Sequence, residues 1–575
     1  MEDYIDLIKY LALKNAEKYG VAKPDVVMGH LIARRPELKS STQELLPLVR
    51  DVTEKINSMR SEERSSLIEV LRATYEAEVF HSATEPKGAL PELKPHEALS
   101  GFRLRLAPNP DGPLTLGNAR PAILCDYYAK RYNGRFVLRF EDTSPSVKPP
   151  LKDAYGWILE DLEWLEIKVD EIYYQSDRLD LYYKRAEDFI EMDKAYVCLC
   201  KPEEWTAYVN TMKPCPHRNN RVEKNLELFQ MMLDGRLGVK AAVVRIKTEM
   251  TNPNPALRDW PALRIDEAPH PRVGRRYRVW PLYNWACAVD DHEMGISHVI
   301  RGKEHLTNEA RQSYVFKGFG WHMPIVIHVG RLKIEGSVLS KTKIMREIRS
   351  GTLTGIDDPR VGTIAALRRR GFKPNVVRSL ILDMGLKPIE ATLKWDNMGY
   401  ANRVAIDFET PRAFFVWDPY DIKISGSPAI SSVKIPCHPS NASLGVRQIS
   451  VPQVNGITRL EISGTDVAKL KPGQKIRLMG LFNVVISEVN FLEKTVFADF
   501  YSVSHEDAVR ERIPILQWVP DEISADVQVL MPDASLVKGK AEPSVSSLRK
   551  GDMVQFLRFG FVRCEGIPYF VFAHE

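Results

Sequence analysis

Apolar and polar positions change their rhythm three times along the chain. Up to about residue 90, Leu45, Leu46, Leu48, Val49, Val52 and Ile56 recur at spacings near 3.6 between polar residues, which predicts helices. The Pro- and Lys-containing stretch from Pro86 to Pro95 reads as a linker. From Phe102 the texture is mixed. Phe102 to Leu106 alternates apolar residues with Arg, as a short strand does, and the turn-rich loop Ala107 to Gly117 follows. A helical stretch then runs through Ala122, Leu124, Tyr128 and Arg131. A second strand, Phe136 to Phe140, leads through Glu141-Asp142-Thr143 into a helix with Tyr155, Ile158, Leu159, Leu162 and Leu165 on one face. This order predicts a doubly wound parallel sheet, a Rossmann-type α/β domain. Ligands of such sheets sit at the carboxyl ends of the strands, so the loops that follow them are the informative ones. Residues 360–400, with Leu367, Val376, Leu380 and Leu382, fit a helical connector. Beyond about residue 400 short alternating runs take over: Lys475–Met479, Thr495–Phe500, Asp526–Leu530 and Met553–Phe559. They predict an all-β tail. A faint repeat, Leu470-Lys-Pro-Gly-Gln-Lys-Ile476 against Leu548-Arg-Lys-Gly-Asp-Met-Val554, suggests two related small barrels.

Size and charge narrow the picture only a little. At 575 residues the chain exceeds what one core supports, and roughly three to five domains are expected. Lys plus Arg is 80 and Asp plus Glu is 75, so the net charge of +5 leaves a nucleic-acid partner to local basic patches. The first residues mix acidic and apolar positions at helical spacing, without the basic start and unbroken apolar run of a secretory signal. No run approaches the roughly 20 apolar residues that span a bilayer. The expectation is a cytoplasmic protein with no membrane partner. Its seven cysteines are then reduced, and clustered ones are metal-ligand candidates rather than disulfides.

Two constellations carry chemistry. Cys198-x-Cys200, fourteen residues, then Cys215-x-His217 supplies three thiolates and an imidazole, the closed tetrahedral set of a structural Zn²⁺ site. The loop Ala107 to Asn118 lies where a nucleotide phosphate would sit, before a helix whose free backbone N–H groups favour an anion. Prolines and a glycine set its turn, Gly117 allows close backbone approach, and Thr115 and Asn118 offer neutral hydrogen bonds.

The longer string from Arg105 to Arg120 resembles the first signature of class I aminoacyl-tRNA synthetases, in their glutamyl/glutaminyl subgroup. That family places His-Ile-Gly-His where this chain has Thr115-Leu116-Gly117-Asn118, so both imidazoles are replaced by groups that bond to phosphate without charge. Ser337-Val338-Leu339-Ser340-Lys341-Thr342-Lys343 resembles the second signature, Lys-Met-Ser-Lys-Ser. The resemblance implies ATP as co-substrate with Mg²⁺, and Thr115, Gly117, Asn118, Ser340 and Lys341 as the catalytic positions. Pro108, Asn109, Asp111, Gly112, Leu339 and Thr342 would line the ATP loops, with Lys341 against the phosphates. It also implies an amino-acid pocket. Arg105 ends the first strand, Glu141 matches the acceptor of the α-ammonium with Asp142 as second choice, and Tyr283 matches the pocket tyrosine. Arg301 decides the substrate: glutamyl enzymes carry Arg here, and the glutaminyl branch a small neutral residue. A guanidinium rewards the side-chain carboxylate of L-glutamate. Glutamine would leave that charge short of a partner, at a cost of about 2–4 kcal/mol.

The resemblance covers roughly residues 98–575, and the β tail is similar to the anticodon-binding barrels of the archaeal/eukaryotic type. It implies a helical N-terminal extension (1–95), then a catalytic domain in two halves (96–190 and 291–358). Between the halves lies a zinc-containing insertion that binds the acceptor stem (191–290). A helical connector (359–400) and two anticodon-binding β-barrels (401–575) complete the chain. Arginines of the insertion, Arg218, Arg221, Arg258, Arg264, Arg272, Arg275, Arg276 and Arg278, are candidates for stem phosphates. The implied activity is formation of glutamyl-adenylate and transfer of glutamate to the 3′ end of tRNA-Glu, with tRNA-Gln as a further candidate, by a monomer. Three alternatives stand beside it: a glutaminyl enzyme, a truncated paralogue that modifies a tRNA base, and an inactive zinc-stabilised RNA-binding paralogue.

Overall fold

The computed structural model describes residues 4–34, 38, 42–60, 63–65, 67, 68, 71, 90–337 and 339–575, which fall into two compact units, Met1–Lys87 and Gly88–Glu575. In the first unit the 3.6 period becomes three helices, Ile5–Tyr19, Pro24–Arg34 and Thr42–Ser58. Leu45, Val49, Val52 and Ile56 are the buried stripe of the third, while Leu46 and Leu48 are only partly covered. Of the expected linker, residues 86–89 lie outside the described residues. Residues 90–95 form no regular element, yet Leu90 and Leu93 are buried in the core of the second unit, so this part is packed rather than free.

Strands β1 (Arg103–Leu106), β2 (Arg135–Phe140) and β3 (Glu171–Tyr174) pair in parallel, joined by the helices Leu116–Arg131 and Ala154–Trp164. Leu104, Leu106, Phe136, Leu138 and Phe140 lie against Ala122, Leu124, Tyr128, Ile158 and Leu162 in one core. The chain then leaves the sheet. It builds an antiparallel four-stranded sheet from β4 (Ala195–Cys198), β5 (Val243–Ile246), β6 (Pro261–Ile265) and β7 (Val279–Pro281). It returns as β8 (His298–Gly302) and β9 (Ile325–Val329), completing a parallel sheet of order β3-β2-β1-β8-β9. The strand order reverses between β1 and β8, which opens a crevice at their carboxyl ends. The α/β expectation is met.

The region after β9 is less uniform than its sequence suggested. A short strand β10 (Leu332–Ile334) pairs in parallel with β11 (Ala391–Leu393), which interrupts the helices Ile364–Arg369, Pro374–Met384 and Trp395–Ile406. The all-β tail forms an eight-stranded sheet from strands between Pro419 and Pro520 and a seven-stranded sheet from strands between Ala525 and His574. The second also takes in Arg412–Ala413 and Phe415–Trp417, so the chain starts the distal sheet, builds the proximal one, and then returns.

The repeat is real at atomic level. Gly473 and Gly551 take positive φ, +80° and +101°, which glycine adopts without strain. Gly473 N donates to Ile486 O and Gly551 N to Cys564 O; Ile486 N and Cys564 N return bonds to Gln474 O and Asp552 O. The side chains of Gln474 and Asp552 accept from Lys471 N and Arg549 N. Among the described residues no helix is long and apolar enough to cross a membrane.

Candidate active site

The two loops singled out from sequence meet at the carboxyl end of β1. Thr115 is the N-cap of the helix Leu116–Arg131, and its hydroxyl donates to Asn118 Oδ1 at 2.9 Å. The pair thus uses one oxygen for capping and leaves the Asn118 amide nitrogen with no partner among the described residues. A Cβ on Gly117 would meet only Thr115 Oγ1, at 3.6 Å, so the protein does not crowd this turn. Ser340 caps the helix Lys341–Arg349 by accepting from Lys343 N, with Thr342 in its first turn. Val338 lies outside the described residues. Lys341 crosses to the first loop, donating to Asn109 O at 3.2 Å with Asp111 Oδ1 3.7 Å away. Burial pushes its ammonium pKa down, against the pull of Asp111 and Asp161. Gly112 backs onto the same helix, since a Cβ there would lie 3.3 Å from Met345 and 3.7 Å from Lys341. Leu339 packs under Gly362, and Pro108 O accepts from Glu141 N at 3.0 Å. Asn109 Oδ1 is buried without a partner among the described residues.

Beneath this lies a buried chain of charges. Arg105 forks onto Asp291, Nε to Oδ1 at 3.1 Å and Nη2 to Oδ2 at 3.2 Å. Arg139, wholly buried, donates Nη1 to the same Asp291 at 2.7 Å and Nη2 to Glu141 Oε1 at 3.1 Å. Burial alone would raise the Asp291 carboxyl, but the two guanidinium groups hold it below the usual range. Glu141 goes the other way: burial raises it more than Arg139 lowers it, so a cation arriving beside it would be welcome. Asp142 is unsuited to that task, because its oxygens are filled by Tyr155 OH, Ser176 N and Ser176 Oγ. Glu141, Arg105 and Arg301 all bear electrostatically on Tyr283, whose hydroxyl meets His305 Nδ1 at 3.3 Å. Arg301 stands apart from the other arginines. Among the described residues only Nη1 is bonded, to Gln312 Oε1 at 2.9 Å, while Nε and Nη2 are buried with no partner. Such orphaned donors are costly unless a ligand completes them.

The third cluster sits in the insertion. Cys198, Cys200, Cys215 and His217 bring one ligand atom each to within 4.8 Å of one another. The two closest contacts are Cys200 Sγ to His217 Nδ1 at 3.4 Å and Cys198 Sγ to Cys215 Sγ at 3.8 Å. A tetrahedral Zn²⁺ sphere has edges of about 3.6–3.8 Å, so the donor set fits one.

Comparison with known families agrees with this layout. The model for the class I (E and Q) tRNA synthetase catalytic domain matches residues 102–408, and two models for the anticodon-binding domain of the same group match 410–500 and 515–565. The chain is 45% identical to a glutamate–tRNA ligase of Pyrococcus abyssi over 573 residues, 99% of each chain. It is 44% identical to that of Thermococcus kodakarensis over the full length of both, and 39% to that of Methanocaldococcus jannaschii over 96% of each. The chain belongs to the class I glutamyl/glutaminyl tRNA synthetases.

Within this synthetase the sequence pointed to the two loops and to Arg105, Glu141, Tyr283 and Arg301, and missed the residues that hold them. Arg139 carried a signal: a lone Arg inside the apolar run Phe136–Phe140 must find a buried partner. Asp291 carried a weaker one, an acidic pair at the end of a helix otherwise buried. Asp161, whose Oδ2 accepts from Leu114 N at 3.0 Å and so fixes the residue before Thr115, carried none. Of the insertion arginines, Arg218, Arg258 and Arg278 are tied to backbone carbonyls, and Arg272 pairs with Asp177.

Proposed function

We propose that this synthetase activates L-glutamate with Mg²⁺-ATP and esterifies the 3′ end of tRNA-Glu. In the first step an α-carboxylate oxygen bonds to the α-phosphorus and the bond to pyrophosphate breaks. In the second a hydroxyl of the terminal ribose bonds to the glutamyl carbonyl carbon, the acyl–phosphate bond breaks, and AMP leaves. Little covalent help is needed from the protein; placement and charge do the work. Lys341 and the Ser340 turn meet the polyphosphate, and Thr115 and Asn118 bond to it without adding charge. Glu141, held by Arg139, takes the α-ammonium, and Tyr283 and the free edge of Arg105 complete that end. Arg301 takes the side-chain carboxylate.

The observation that carries the substrate is the buried, two-thirds uncommitted guanidinium of Arg301. A carboxylate satisfies both free N–H groups; a carboxamide offers one acceptor and an extra donor. Cys198, Cys200, Cys215 and His217 hold a Zn²⁺ that would keep the insertion rigid. We assign residues 1–95 to an appendage, 96–190 and 291–358 to the catalytic halves, and 191–290 to acceptor-stem contact. Residues 359–400 are assigned to the connector and 401–575 to anticodon contact. The enzyme acts as a cytoplasmic monomer.

Charging of total archaeal tRNA with labelled glutamate and, separately, labelled glutamine tests this reading, with Arg301→Ala alongside. Glutamate alone is charged by the wild type, and the variant loses on the order of a hundredfold in kcat/KM. The isoacceptors formed show whether tRNA-Gln is also a substrate. Charging of glutamine instead would overturn the pocket assignment, and charging of neither would leave an inactive RNA-binding paralogue.

A further inference from the structure

Arg120 lies one turn into the helix Leu116–Arg131, is 1% exposed, and has no carboxylate partner among the described residues. Nη1 donates to Gly330 O at 2.6 Å, and Nη2 is shared between Gly385 O at 3.0 Å and Lys387 O at 3.2 Å. A cation at this depth is ordinarily neutralised by an acid. Here backbone carbonyls take Nη1 and Nη2, Nε has no partner among the described residues, and burial pushes the guanidinium pKa down. A buried charge kept at that cost is informative when its partners are.

The partners belong to the roots of the site. Gly330 opens the turn into β10, whose chain continues to Ser340 and Lys341. Gly385 and Lys387 precede β11, the partner of β10. Packing at this junction leaves no slack: a Cβ on Gly330 would lie 1.8 Å from Ile389 O, and Gly330 N donates to the Lys387 carbonyl that Arg120 also holds. The connector grips the first loop as well, through Leu116 N to Gly362 O and Ile364 N to Leu114 O, both 3.0 Å. Arg120 is therefore a pin through three segments: the helix that carries Thr115–Asn118, the root of the Ser340–Lys341 loop, and the connector between that loop and the β tail.

We propose that Arg120 is a positioning residue for adenylate formation, fixing the distance between the two ATP loops. The proposal rests on the reading of those loops given above. The guanidinium fork is needed because its two ends serve carbonyls on different segments; an ammonium is a point charge and holds one group of them. A shift of about 1 Å in such a spacing costs on the order of a hundredfold in rate. The ATP side of the site depends on it directly, whereas the proposed amino-acid pocket rests on β1, β2 and β8 and the helix Tyr283–Glu293, to none of whose described residues Arg120 is hydrogen-bonded.

Glutamate- and tRNA-dependent ATP–pyrophosphate exchange is measured for the wild type, Arg120→Lys, Arg120→Met and Gly330→Ala, with ATP affinity read separately by calorimetry. Arg120→Lys is expected to lower kcat by roughly ten- to a hundredfold and raise the KM for ATP, while the KM for glutamate stays within about twofold. Gly330→Ala, which displaces the partner and leaves Arg120 in place, gives the same split, and the double variant loses less than the product of the two. If Arg120→Met does not fold, Arg120→Lys and Gly330→Ala carry the test. An Arg120→Lys enzyme with wild-type ATP parameters, or one that weakens ATP and glutamate alike, overturns the proposal. A wild type that binds ATP but is inert with glutamate would instead sink the functional reading, and the calorimetry would still report on the loop spacing.

Discussion

The charge network under the proposed amino-acid pocket and the cysteine cluster of the insertion are held in different ways. In the pocket Arg105 and Arg139 share Asp291, and Arg139 also bonds to Glu141, so protein partners fix the charges. In the cluster the four ligand atoms face one another across less than 4.8 Å and lean on each other. Around them lie a Tyr196 hydroxyl 3.5 Å from Cys215 Sγ, the backbone N–H groups of Arg218 and Cys200, and the rings of Trp205 and Tyr208. On the functional reading proposed above, rigidity comes from the protein in one region and would come from a bound Zn²⁺ in the other. Removing a protein group should therefore damage the first, and removing a solute the second.

The strongest way to break the comparison is Asp291→Asn. It leaves two buried guanidinium groups around one neutral amide, and loss of a partner from a buried ion network costs about 3–5 kcal/mol. Thermal unfolding of the variant should begin well below the wild type, and glutamate activation should be lost with it. A variant as stable as the parent would mean that solvent reaches Arg105 and Arg139, contrary to their 4% and 0% exposure. The cluster should respond less severely. Metal analysis should find one zinc per chain, released by a chelator and absent from Cys215→Ser. The depleted enzyme should keep its affinity for ATP while its kcat/KM for tRNA falls on the order of tenfold. A chain purified without zinc that charges tRNA fully would show that the four side chains hold themselves.

What could be read in the sequence divides along the same line. The cysteine cluster was legible because all four side chains fall within 20 residues, and the Ala107–Asn118 loop because Pro, Gly and the helix start are adjacent. The turns before Lys475 and Met553 were legible because each needs a glycine at positive φ. Arg105 was read as a substrate ligand; its observed partner Asp291 is 186 positions away, and no local pattern joins them. The same holds for the β tail. Alternation announces strands, but nothing in Arg412–Ala413 says that they pair with Met553–Phe556 rather than with their neighbours. Local chemistry is written locally; the neutralisation of buried charge and the pairing of distant strands are settled only by the fold.

A smaller effect sharpens the contrast within the active site. Asp161 is as buried as Asp291, but it has a backbone N–H where Asp291 has two arginines. Burial therefore wins, and its carboxyl is pushed up to about 7 from an ordinary 3.8. The sign of the linkage follows. An acid with a raised pKa favours the folded state in its protonated form, so its contribution is full below about pH 4 and is lost as pH rises through 7. Asp161→Asn keeps an oxygen for Leu114 N and has no proton to lose. The difference in melting temperature, variant minus wild type, should therefore grow between pH 5 and pH 8 by roughly a few degrees, as 1 kcal/mol shifts a chain of this size by only about 2–4 °C or less. The corresponding difference for Asp291→Asn should have no such slope there, because the arginines hold that carboxylate ionised throughout the window. A flat difference for Asp161→Asn would show that the loop N–H, or solvent, stabilises the charge as well as a guanidinium does. The order of rigidity drawn here between the ion network and the loop support would then collapse into one.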